Sequence, residues 1–97
     1  MDEYFELNGI GFLWDRVKAR QNLQRHGVAF EQAAEAFFDP FLRVVDAGTD
    51  TETRDAVLGI DLHWRLLFVV HVLVEESRFR IVSARKATRS EWTLYED

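Results

Sequence analysis

The run from Trp64 to Val74, Trp-Arg-Leu-Leu-Phe-Val-Val-His-Val-Leu-Val, limits what this chain can become more than any other stretch. It is apolar at odd and even positions alike, so a strand made from it has two apolar faces and must be covered on both, as a central strand is. Its unbroken core, Leu66 to Val70, is far shorter than the ~18 residues of a membrane-spanning helix. No basic leader followed by an apolar segment opens the chain, so a cytoplasmic protein with no membrane role is expected. His71, inside the run, is expected to be a neutral histidine hydrogen-bonded under a helix.

The rest of the chain has to supply that cover. Ninety-seven residues are enough for one domain, residues 1–97, with one core and one cleft. Asn8-Gly9 between apolar flanks is a type I′ turn signal, which predicts a hairpin, or at least a strand from Gly11 to Trp14. Trp14 is expected in the core. Asp15 sits where a helix N-cap belongs, and Gly27 where a left-handed C-cap belongs, so a first helix is expected over about 16–26. Phe30, Ala33, Ala34 and Phe37 follow at i, i+3, i+4, i+7, a core-facing second helix that stops at Asp39-Pro40. Strands are expected at Leu42–Asp46, Arg54–Ile60, Trp64–Val74 and Arg78–Ala84, with Glu75-Glu76-Ser77 as a turn. Thr88 and Glu91 form a capping box that opens a last helix through Tyr95. The fold class is therefore α+β: N-terminal strand, two helices, an antiparallel meander of three to four strands, and a C-terminal helix.

Charge separates along this order. Residues 77–90 hold Arg78, Arg80, Arg85, Lys86 and Arg89 and no acid, while residues 31–76 hold ten acids against three arginines. A net charge of −5 argues against indiscriminate nucleic-acid binding. Ten of the twelve basic residues are arginine, whose planar fork matches phosphate or carboxylate, so the cluster reads either as an anion site or as one half of internal ion pairs.

The first helix has almost no apolar stripe. Lys18, Asn22 and His26, four apart, line one side of it. Arg25 is expected to complement the helix dipole at its C-terminal end, and His26 does the same or acts near neutral pH. Arg78 and Arg80 share a strand face. Arg85, five residues beyond Arg80, faces the other way unless a bulge intervenes, or lies past the strand end beside the free amides of the last helix. Glu52 and Arg54 flank Thr53 and point the same way, a pattern more often seen in a surface pair worth under ~1 kcal/mol than in catalysis. His63 reads as a turn residue. With no cysteine and no close histidine spacing, neither a metal site nor thiol chemistry is expected. A Gly-rich phosphate loop and a Gly-x-Ser-x-Gly elbow are also absent from the sequence.

The ordered set Phe12-x-Trp14-Asp15-x-x-Lys18-Ala19-x-x-Asn22, His26-Gly27-Val28-x-Phe30-x-x-Ala33, Phe38-Asp39-Pro40, Glu52-x-Arg54, Gly59, Arg80-Ile81-Val82-Ser83-Ala84-Arg85-x-Ala87, Glu91 and Tyr95 resembles the BrnT toxins of bacterial type II toxin–antitoxin modules. Two departures stand out: Arg25 where the family usually has lysine, and Ala29 where it usually has a Ser or Asp cap, so the second helix is expected to fray. The resemblance implies a RelE-like fold and metal-independent RNA cleavage without a cofactor. Such cleavage needs a base for the 2′-hydroxyl, cations at the phosphate and an acid for the leaving oxygen. The implied catalytic set is His26 or Glu52 as base, with Arg54, Arg80 and Arg85 on the phosphorane. Lys18, Asn22, Lys86 and Tyr95 are implied as substrate-binding residues, with Lys18 a further proton donor and Tyr95 an acid or stacking platform; Glu91 remains a cap. The implied partners are RNA and a ribbon-helix-helix, BrnA-like antitoxin that alone contacts operator DNA. Two rivals remain. One is an inactive toxin-like module serving as its antitoxin's co-repressor; the other is a domain that self-associates through the strand after Pro40.

Overall fold

The computed structural model describes residues 1–75 and 77–97. At its start Asn8 and Gly9 take φ of 50° and 82°, and the chain reverses as a hairpin of β1 (Asp2–Leu7) and β2 (Ile10–Asp15). The Asp15 carboxylate accepts the Lys18 amide at 3.0 Å and starts α1 (Arg16–His26); Gly27, at φ 70°, ends it. Next comes α2 (Phe30–Glu35), tightening into a 3₁₀ turn over Ala36–Phe38. Ala29 offers no cap, but Gln32 Oε1 accepts the Ala29 amide at 3.0 Å, and Phe30 is fully buried, so α2 is held despite the missing side chain. The strands β3 (Arg43–Asp46), β4 (Asp55–Ile60), β5 (Leu66–Val74) and β6 (Arg78–Lys86) follow, then α3 (Arg89–Glu96) with its Thr88–Glu91 capping box formed in both directions.

The sheet corrects the expected meander. Its order is β1-β2-β6-β5-β4-β3, six strands, and it is mixed because β2 runs parallel to β6 through Gly11–Arg78, Phe12–Phe79 and Leu13–Arg80. The antiparallel set β3 to β6 is present within it. The N-terminal hairpin is joined by a pairing between residues 67 apart in sequence, which alternation within either strand cannot reveal. Trp64 and Arg65, expected to begin the central strand, form its entry turn instead: Trp64 has φ 63° and is 86% exposed. At the other end Glu75 has φ 51° and Ser77 donates to the Val74 carbonyl, as a turn there requires; Glu76 lies outside the described residues.

One sheet face carries α2 and the 3₁₀ turn. Phe12, Trp14, Val57, Leu67, Val69 and Ile81 meet Phe30, Ala33, Ala34 and Ala36 there, all buried. Trp14 packs edge-on to Phe30 at 5.7 Å and donates its indole N–H to Glu3 at 3.0 Å. Gly59 is required because a Cβ at that position would stand 2.3 Å from the Ala36 carbonyl oxygen, so the 3₁₀ turn rests directly on β4. His71 is buried on this face, edge-on to Phe37 and Phe79, with Nδ1 3.2 Å from the Val69 carbonyl; burial lowers its pKa and keeps it neutral, as expected. The other face of β5, expected to be covered as well, is only half-buried, and it is the face that carries the arginines.

Candidate active-site cleft and adjoining groove

A bulge decides where the arginines point. Val70 pairs with Ser83 but His71 pairs with Ile81, so Val82 is an extra residue in β6. That one residue turns Arg85, opposite Phe68, onto the face of Arg80, opposite Val72, and Arg78, opposite Val74. The same count puts Lys86, opposite Leu67, on the other face.

The parallel pairing brings α1 to the same place. Leu13 lies opposite Arg80, and two residues later Asp15 starts α1, so Lys18 arrives beside Arg80. Beyond Leu13 the edge of β6 has lost its strand partner, and Asn22 replaces it. Its Oδ1 accepts the Ala84 amide at 3.1 Å, and its Nδ2 donates to the carbonyls of Ala84 at 2.8 Å and Val28 at 3.0 Å. Asn22 is buried with both amide hydrogens committed, which fits a clamp between helix and strand better than the expected role in substrate binding.

The third wall is the loop over residues 47–54. It is a tight continuation of the β3–β4 hairpin, closed by Ala47 N–H to Arg54 O (3.0 Å) and Thr49 N–H to Glu52 O (2.9 Å). Gly48 permits it, since a Cβ there would come within 2.6 Å of the Glu52 carbonyl oxygen. Glu52 and Arg54 end up side by side, 3.0 Å apart and both part-exposed, the surface pair that their spacing predicts.

Lys18, Glu52, Arg54 and Arg80 therefore line one cleft of about 290 Å³ with Asp15, Val72 and Val82. A smaller groove of about 150 Å³ adjoins it, sharing Lys18 and Val82, and is lined further by Gln21, Asn22, Arg25, His26 and Ser83. His26 is thus next to the cleft and not in it. Arg85 and Tyr95 line neither space. Arg85 stands four residues along β5 from the level of Arg80, about 13 Å at 3.3 Å per residue. It stacks 4.4 Å over Phe68 and holds Glu91 with two hydrogen bonds of 2.8 and 2.9 Å. Tyr95 donates its hydroxyl to Asp39 at the far end of the sheet; burial and that carboxylate push its pKa up to about 12.

Arg80 is itself held in a fork, by Asp2 at 3.1 and 2.8 Å. These hydrogen bonds lower the pKa of Asp2 and raise that of Arg80. Asp2 and Gly48 are not legible as site features, and the bulge at Val82 is the one of the two alternatives for Arg85 that the structure selects. Only Gly48 carried a local signal, the Asp-x-Gly turn in which the Asp46 carboxylate accepts the Gly48 amide.

Among the described residues one cluster with metal-ligand chemistry exists elsewhere: atoms of Glu35, Asp61 and His63 lie within 4.8 Å of one another. Its carboxylates already have partners. Asp61 accepts from the amides of His63 and Arg65 and pairs with the Arg65 guanidinium at 2.8 Å, and Glu35 accepts the Leu62 amide. Arg65 in turn donates to the Gly27 carbonyl and to Gln32, so this cluster fastens the β4–β5 turn to the end of α1. Among the described residues no helix is long and apolar enough to cross a membrane.

Comparison with curated proteins found no match. Residues 14–91, a span that includes Lys18, Glu52, Arg54, Arg80 and the Val82 bulge, match the family described as ribonuclease toxin, BrnT, of type II toxin-antitoxin system. The chain belongs to the BrnT family of ribonuclease toxins.

Proposed function

We propose that this protein is an endoribonuclease that cuts RNA by transesterification in the Lys18–Glu52–Arg54–Arg80 cleft, without a metal ion, and that it thereby inhibits translation. The observation that carries this reading is the meeting of those four side chains, from α1, the 47–54 loop and β6, around one opening. Glu52 takes the proton of a 2′-hydroxyl as its oxygen bonds to phosphorus; the bond from phosphorus to the 5′-oxygen breaks, and Lys18 protonates the departing oxygen. The products are a 2′,3′-cyclic phosphate and a 5′-hydroxyl. Arg54 and Arg80 face the phosphoryl oxygens, where charge grows in the transition state. Glu52 is favoured as base over His26 because it shares the cleft with both arginines. Metal independence is supported by the donor set. Besides Glu52, which pairs with Arg54, the acid lining the cleft is Asp15, which caps α1, and three cations oppose a divalent ion.

The test is incubation of the purified protein with single-stranded RNA in EDTA. Cyclic-phosphate products are expected, with Glu52→Gln slowed by about 10²-fold or more. Cleavage that needs added metal, or survives Glu52→Gln and is lost in His26→Ala, sinks this assignment. In cells, expression alone should arrest growth and protein synthesis, and a cognate antitoxin of ribbon-helix-helix type, carrying the operator contacts, should relieve it.

One observation favours a second reading, a non-catalytic co-repressor: Arg80 and Arg85 each already grip a carboxylate of the same chain. That reading expects antitoxin binding with neither growth arrest nor RNA cleavage.

A further inference from the structure

The groove beside the cleft is lined by Lys18, Arg25 and His26 and by no acid, and it has the bulged Val82 and Ser83 as its floor. Among the described residues Lys18, Arg25 and His26 form no salt bridge. Arg25 is exposed and His26 half-buried, in the last turn of α1. From Lys18 to Arg25 the helix rises about 10 Å at 1.5 Å per residue, the axial length of about three stacked nucleotides at 3.4 Å each. Lys18 and Val82 line both spaces, so one strand can run from the cleft into the groove without leaving the surface. Internal carboxylates already sit on the strand arginines, but a phosphate entering the groove displaces none.

We infer that this groove is a second binding site, for the phosphodiesters flanking the scissile one, with Arg25 and His26 as its phosphate contacts. The inference rests on the cleft being where RNA is cut, and it makes the substrate an oligonucleotide of several residues. Arg25 then does more than complement the helix dipole: it extends the site past the reacting phosphate. The groove contributes affinity for length, because its groups meet the sugar–phosphate backbone and not base edges.

Two measurements test it. Binding of a 2′-O-methylated single-stranded RNA decamer, which cannot be cut, is titrated against salt for the unaltered protein, Arg25→Gln, and Arg20→Gln, which removes the same charge from an exposed position of α1 outside the groove. The slope of log K against log salt should fall by about 0.7 in Arg25→Gln, one lost phosphate contact on a single strand, and stay unchanged in Arg20→Gln. The ratio of kcat/KM for an unmodified decamer over a dinucleotide should also shrink several-fold in Arg25→Gln. Equal slopes for the two variants, or a length preference untouched by Arg25→Gln, overturn the second site. Failure of the unaltered protein to cut any RNA overturns the cleavage reading instead, and the decamer slopes still decide the groove.

Discussion

On the strand face and in the loop beside it, Arg54, Arg78, Arg80 and Arg85 each hold a carboxylate, those of Glu52, Glu75, Asp2 and Glu91. On the helix side Lys18, Arg25 and His26 hold none among the described residues. The difference separates two uses of positive charge. A guanidinium in a carboxylate fork has a fixed plane and little rotamer freedom left to lose, which suits a group that must face one set of phosphoryl oxygens. An unpaired lysine or arginine on a helix keeps its freedom and its whole charge, which suits capture and steering of a polyanion.

The largest effect should come from removing a strand cation inside the cleft and comparing it with one outside. Arg80→Ala is expected to lower the rate of RNA cleavage by 10²–10³-fold, the range for loss of one preorganised transition-state contact. Arg85→Ala, which removes a residue of the same strand, face and pairing, is expected to cost only a few-fold, because Arg85 meets Glu91 and Phe68 and not the cleft. Equal losses in the two variants, measured on protein of unchanged circular dichroism, would erase the distinction between them.

Asn22 is the exception on the helix side, polar like its neighbours but buried, and it should affect stability before substrate. Asn22→Ala leaves the Ala84 amide and the carbonyls of Ala84 and Val28 without their partner. Stranding such groups costs about 3 kcal/mol in all, or roughly 12 °C in Tm for a domain of this length. A Tm within a few degrees of the unaltered protein, with RNA binding lost, would return Asn22 to the role expected from its position on the polar face.

That contrast marks how far the chain could be read unaided. Local rules placed most elements, because their causes are local: Asp15, Gly27, Thr88 and Glu91 act within four residues of themselves, and Asn8-Gly9 is a complete turn signal. The polar face of α1 and the Glu52–Arg54 pair were visible too, as was the possibility of a bulge before Arg85. What stayed hidden depends on partners far along the chain. The β2–β6 pairing, the Asn22 clamp across 62 residues and the Asp2 fork across 78 leave no periodic trace. Side-chain type alone does not separate a lysine in the groove region from one on the opposite face, so Lys86 stands beside Lys18 as a candidate, whereas Tyr95 is a candidate on the resemblance.

The paired side should be sensitive to acid, and so should the N-cap of α1, where the Lys18 amide lowers the pKa of Asp15. The cations Lys18 and Arg25 add nothing to that dependence. The hydrogen bonds from Arg85 hold the carboxyl of Glu91 below its ordinary range, and those from Arg80 do the same for Asp2. A group whose pKa is lowered by folding adds stability above its unfolded value and loses it as pH falls through the folded one. Stability should therefore decline below about pH 4.5, the usual glutamate range. Glu91→Gln and Asp2→Asn should each flatten that decline, while Arg25→Gln should leave its slope unchanged. Denaturant unfolding between pH 3 and 7 measures it; a slope that follows Arg25 and ignores Glu91 would reverse the assignment.

The smallest effect is the most discriminating, because its sign is at issue. Asp2 takes up the Nη1–Nη2 edge of Arg80, yet the pair is about one-third exposed on each side, so the contact is weak and screened by solvent. A surface competitor of this kind lowers phosphate occupancy only a few-fold. If Asp2 chiefly competes, Asp2→Asn should tighten binding of an uncleavable RNA two- to three-fold and leave the maximal cleavage rate unchanged. If it chiefly orients, the same change frees the guanidinium to swing, and the cleavage rate should fall with binding hardly altered. Residues 14–91 carry the family match, and Asp2 lies outside it, on the strand that forms one edge of the sheet. On the proposed reading the competing role fits that position better, because the fork is supplied from outside the matched residues; a fall in cleavage rate in Asp2→Asn would assign Asp2 the orienting role instead.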